Sequence, residues 1–173
     1  MFNKFFYHLF KNQFAITEQT AIYLNLIANL FVIAFLGYIF FKTFRYFGSN
    51  FIKKVAAKTK TNFDDLLIKN RVFLNISRIV VFVILYALLS LILIDFPEFL
   101  KYADRCINIA ILFSTIWFIK SILLTIKDFL RNFTAFKDKP LDSYAQVLTI
   151  FIWSIGFLFM FSEITGQSIL TFL

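Results

Sequence analysis

Residues 19 to 41 hold no formally charged side chain, and neither do residues 143 to 162. At 1.5 Å per residue, about twenty residues cross the roughly 30 Å hydrocarbon core of a bilayer, so each run suffices for a transmembrane helix. Two further apolar stretches lie between them. Residues 73 to 94 contain one charge, Arg78, close enough to the end to snorkel back to the headgroups. Residues 98 to 125 have an uncharged centre of 14 residues, 106 to 119, and reach spanning length when Lys120 is treated as a snorkelling end. Composition agrees, because 60% of the chain is hydrophobic and its mean hydropathy is +0.78, against about 45–50% apolar residues in soluble domains. The expected fold is all-α: a polytopic integral membrane protein with four transmembrane helices plus an N-terminal amphipathic interfacial helix.

The expected boundaries are 1–16 for the interfacial helix and 17–42, 73–94, 98–125 and 143–163 for the spans. Residues 43–72 and 126–142 form basic connectors, and 164–173 read as the start of a further, truncated helix. In the first segment Phe2, Phe5, Phe6, Leu9, Phe10 and Phe14 share one helical face. It has no signal-peptide cleavage pattern, so the N-terminus is expected to be retained. His8 falls on the opposite face as a solvated interfacial histidine. Thr17 is placed to cap the first span, with Glu18 in the first turn. Asn25 and Asn29, four apart, mark a face that should avoid lipid and meet another helix or the headgroups.

Asn62 is expected to cap a helix that carries Asp64 and Asp65 in its first turn and continues through Arg71 and Arg78 into the second span. Adjacent helical positions diverge by about 100°, so these carboxylates complement the helix dipole rather than converge on a substrate. Asp95, Phe96, Pro97 and Glu98 make a short turn to the third span. Pro140 closes the second connector, and Asp142 and Ser143 are expected to cap the fourth span. Cys106 and Asn108 read as packing residues, and Gly156 as a place where helices approach closely.

One cysteine and one histidine cannot build a disulfide or a Cys/His metal site within one chain. No cofactor is expected. The polar residues noted inside the spans, Asn25, Asn29, Ser90, Ser114, Thr115 and Ser154, include no acid, base or metal set, so the chain is not read as an enzyme. The 27 Phe accompany abundant Ile, Lys and Asn, a codon-usage signature that carries no functional weight. The net charge of +8 is concentrated beside the spans, the pattern of anionic headgroups rather than of a nucleic-acid partner. Lys53, Lys54, Lys58, Arg78, Lys120, Lys127 and Arg131 are the expected lipid contacts.

With both connectors inside, fourteen of the eighteen Lys and Arg residues face the cytoplasm. Only Lys4, Lys11, Lys101 and Arg105 lie outside, so both termini are expected outside.

The segments KTKTNFDDLLIKNRVF (58–73) and KPLDSYAQVLTIFIWSIG (139–156) resemble connectors of the bacterial small-conductance mechanosensitive channel family, in the subgroup with extra membrane helices. Lys60, Asp64, Asp65, Pro140, Tyr144 and Gln146 carry the resemblance, which covers about residues 20 to 173. It implies a tension-responsive helical paddle in the bacterial inner membrane around a homo-oligomeric, heptameric pore. The chain departs from the family where a glycine- and alanine-rich pore helix and a cytosolic domain would follow, so the conducting part is expected to be missing. The alternative is a small membrane scaffold or assembly subunit without channel activity.

Overall fold

The computed structural model describes residues 5–14, 17–56, 63–93 and 96–171, and these are helical almost throughout. The helices are α1 (Phe5–Phe14), α2 (Glu18–Ala56), α3 (Phe63–Lys69), α4 (Val72–Ile92), α5 (Pro97–Leu130) and α6 (Leu141–Thr165), with short 3-10 turns at Thr134–Phe136 and Ile169–Thr171. Four of them, α2, α4, α5 and α6, are long and apolar enough to cross a membrane. The chain is an all-α, multi-pass membrane protein.

Packing follows chain order, with α2 against α4, α4 against α5, α5 against α6, and α1 along α2. The spans form a row, and α6 ends it. Only 6% of its apolar window is buried, against 22% for each of the other three, so its outward Phe and Ile side chains are left to lipid or to another helix.

The polar face of α2 goes where its asparagines require. Ala21, Asn25, Asn29 and Ile33, at intervals of four, are all buried. Asn29 Nδ2 donates to Asn25 Oδ1 at 3.2 Å, and Asn25 Oδ1 also accepts the backbone N–H of Tyr7 at 3.1 Å. The Asn25 side chain thereby ties α2 to the backbone of α1. Lys11 Nζ donates to Tyr7 Oη at 3.0 Å and Tyr7 Oη to Glu18 at 3.2 Å. The hydrogen bond from Lys11 to Tyr7 and the charge of Glu18 raise the Lys11 pKa above its ordinary value.

Several boundaries differ from the sequence expectation. The helix that carries the first span does not end at residue 42; α2 continues to Ala56, and its apolar, membrane-length part reaches Tyr46. Gly48 does not interrupt it, since a lone glycine costs only about 1 kcal/mol in a helix, and here it packs against Phe73. Lys53 and Lys54 therefore lie on helix, while Lys58, Lys60 and Asn62 fall outside the described residues. The expected continuous helix from Asp64 through Arg71 into the second span is instead broken. α3 ends at Lys69, and Arg71 adopts the left-handed conformation (φ 57°, ψ 30°) before α4 begins.

α5 starts with Pro97 at its first turn and runs five residues past the expected limit of 125, to Leu130. α6 begins two residues early, with Pro140 in the cap position and no side-chain cap bond, so Asp142 and Ser143 do not cap it. Gly166, at φ 70°, ends α6 with its N–H on Ser162 O at 2.8 Å. Of the following described residues, Ile169–Thr171 form a 3-10 turn rather than the start of a further α-helix.

Candidate functional site

The connector ends of α3, α5 and α6 are joined by one chain of charges. Asp128, in the last turn of α5, accepts Lys69 Nζ from α3 at 3.1 Å and Asn70 Nδ2 at 3.5 Å, both on Oδ2. Lys127 Nζ stands 3.4 Å from Asp128 Oδ1 and donates to Asp142 Oδ1, in the first turn of α6, at 3.0 Å. Arg131 donates to the other oxygen of Asp142. The Phe63 ring meets Phe129 edge-on at 5.1 Å, fastening α3 to α5 from the apolar side.

Each link between helices in this network pairs a sheltered group with an exposed one. Lys69 and Asp128, which join α3 to α5, are 67% and 14% exposed, and Lys127 and Asp142, which join α5 to α6, are 17% and 64% exposed. Exposed ion pairs contribute about 0–1 kcal/mol and weaken with salt, while sheltered ones are screened less. The two links are accordingly alike in shelter; Asn70 and the Phe63–Phe129 contact add to the one between α3 and α5, and Arg131 adds to the one between α5 and α6. Lys127, Lys139 and Tyr144 also line a cavity of about 500 Å³, with Leu130, Phe136 and Leu148 among its apolar walls.

Deeper in the row a buried polar seam joins α4 to α5. Asn75 Nδ2 donates to Ser121 Oγ and, at 3.3 Å, to Trp117 O. Arg78 donates to Asn75 Oδ1 at 3.4 Å, and its guanidinium lies 5.2 Å from the centroid of the Trp117 ring, a cation–π distance. Thr125, fully buried, returns its hydroxyl to Ser121 O. Within a lipid-surrounded helix pair such bonds contribute about 0.6 kcal/mol on average and up to about 1.7. At the other end of α5, Asn108 donates to Glu163 on α6 at 2.9 Å. Asp104 Oδ1 there is buried without a hydrogen-bond partner among the described residues.

Of the residues singled out in sequence, Asp64 and Asp65 occupy the first turn of α3. Pro140 sits at the N-cap of α6, and Tyr144 and Gln146 are exposed on that helix. Lys127 and Arg131 belong to the charge network. Arg78 is held by Asn75 and Trp117 within the α4–α5 contact, and Lys120 is half-buried. Two central members, Asn75 and Asp128, were not singled out. Asn75 interrupts an apolar run as Asn25 does, and Asp128 is an acid placed among bases; both signals were present.

Among the described residues no three His, Cys, Asp or Glu side chains come together as a metal site. Compared with family models, with curated proteins and with solved structures, the chain matches none.

Proposed function

We propose that this protein is the tension-sensing membrane region of a small-conductance mechanosensitive channel, working without catalysis in a bacterial inner membrane. The observation that carries the reading is the connector-end network of Lys69, Asp128, Lys127 and Asp142. It ties α3, α5 and α6 together, so that in-plane movement of one span is passed to the next. The open row of spans adds to this, since helices mostly faced by lipid respond to lateral pressure along their whole length. Tension then acts as a ligand does, favouring whichever arrangement occupies the larger area.

In this reading the connectors and their Lys and Arg residues lie on the cytoplasmic side, with the N-terminus outside. Copies of the chain assemble around a common axis, a heptamer if the arrangement follows the resemblance. A second reading, a membrane scaffold or assembly subunit, is favoured by one observation: α6 is almost unburied and offers an apolar flank to another helix.

The test is spin-label distance measurement on the chain in liposomes, with probes at Tyr38 on α2 and Val147 on α6, both exposed, in a Cys106→Ser background. Adding lysolipid to one leaflet mimics tension. A changed distance distribution that becomes independent of lysolipid in Asp142→Asn supports the sensor. An unchanged distribution in the starting protein removes it and leaves the scaffold.

A further inference from the structure

The bases at the connector end fall into two sets. Lys69, Lys127 and Arg131 are each neutralised by Asp128 or Asp142. Arg45, Arg71 and Arg78 have no carboxylate within salt-bridge distance among the described residues, yet all three line one cavity of about 420 Å³. They come from three places in the chain: Arg45 from α2, Arg71 from the left-handed link after α3, and Arg78 from the second turn of α4. Like charges gathered around one cavity repel one another and attract an anion into it, while Asn75 and Trp117 hold Arg78 in place.

The remaining lining is Leu67 and Ile68 of α3 with Phe73 and Leu74 of α4. Among the described residues no acid lines the cavity. Arginine guanidinium forks match phosphate oxygens bidentately, and the apolar wall suits the glycerol and acyl portion of an amphiphile. The volume lies within the range of small-ligand pockets, about 300–1,000 Å³.

Depth points the same way. Arg45 follows closely on the uncharged run that ends at residue 41, and Arg71 and Arg78 flank the beginning of the apolar α4. The cavity therefore sits where the hydrocarbon core gives way to headgroups. Arg71 is also the only described non-glycine residue with positive φ, a conformation that L side chains rarely adopt. Such strain is often retained at ligand sites.

We propose that Arg45, Arg71 and Arg78 form a binding site for a phosphate group, supplied by an anionic phospholipid whose acyl portion rests on Leu67, Ile68, Phe73 and Leu74. The proposal needs only the four-span architecture and does not rest on the tension-sensing reading. A protein that binds the phosphate but ignores lysolipid would keep one and lose the other.

Trp117, stacked beside Arg78, is the built-in reporter once Trp153→Phe removes the second tryptophan. The full chain is placed in phosphatidylcholine nanodiscs containing increasing brominated phosphatidic acid, and quenching is compared with brominated phosphatidylcholine. Each base near an anionic surface is worth about fivefold in binding. The expected result is a preference for the anionic lipid that falls about fivefold in each of Arg45→Gln, Arg71→Gly and Arg78→Gln. Arg71→Gly suits the left-handed backbone, so its loss of binding is separable from a loss of folding. Lys137→Gln, at an exposed base that is not part of the cavity lining, should leave the preference within the scatter of the starting protein.

Reversal of the quenching by millimolar inorganic phosphate or glycerol phosphate would keep the phosphate site and assign its occupant to solution. Absence of any anionic preference would overturn the proposal. So would a preference that all three arginine substitutions leave intact or that Lys137→Gln removes equally.

Discussion

Replacing Gly156 with Ala would place a methyl carbon 2.6 Å from Ile116 Cγ1 across the α5–α6 contact, with Cδ1 also in its way. Ile116 is itself buried and β-branched, so it has little room to turn aside. Overpacking of this kind costs about 1–3 kcal/mol, and the better helix propensity of alanine returns about 1 kcal/mol. Gly156→Ala should therefore destabilise α5–α6 packing by about 0–2 kcal/mol. In an Ile116→Ala background the offending carbons are gone. The new methyl then meets only the retained Cβ at 3.9 Å, an ordinary contact. There the substitution should stabilise by about 1 kcal/mol, giving a coupling between the positions of about 1–3 kcal/mol. SDS-induced unfolding in mixed micelles measures all four proteins. Trp153 serves as the signal, because its ring packs on Phe113 from the neighbouring helix at 5.6 Å. Additivity within about 0.5 kcal/mol would refute the argument that Gly156 is needed for close approach to Ile116.

Asn75→Val removes the hydrogen bonds to Ser121 and Trp117 and should cost about 0.6–1.7 kcal/mol in the same unfolding assay; no loss would mean that this seam does not hold α4 to α5. Asp128→Asn should increase deuterium uptake across residues 63–70 while leaving α4 unchanged, because Lys69 and Asn70 both donate to Asp128; unchanged uptake would deny that this carboxylate holds α3 to α5. Asp64→Asn and Asp65→Asn should each cost under about 1 kcal/mol, and a larger loss by either would show that it does more than complement the start of α3. Cys106, exposed on α5 near the end opposite the connectors, should react with a membrane-impermeant maleimide added outside intact cells; labelling only after permeabilisation would reverse the proposed orientation.

The four spans were readable because long uncharged runs have few alternatives in folding, and the lipid-avoiding face of α2 was readable from Asn25 and Asn29. What escaped was set by tertiary contact. The pattern Gly48-Ser49-Asn50 resembles a break, but nothing in it forbids a helix, and α2 passes straight through. Conversely, Lys69-Asn70-Arg71 contains neither glycine nor proline, yet the chain turns there. α3 is drawn towards Asp128 and Phe129 on α5, while α4 is committed to its seam through Asn75. One straight helix could not satisfy both, so the link between them takes up the mismatch at Arg71. The same logic explains Asp142. Its position near the start of α6 suits a cap, but Lys127 and Arg131 on the preceding helix claim its oxygens first. The connectors are thus organised by which base each acid can reach across helices, a pairing that linear spacing does not encode. The three arginines that this sorting leaves without a carboxylate among the described residues become visible as a group only once the helices have been placed side by side.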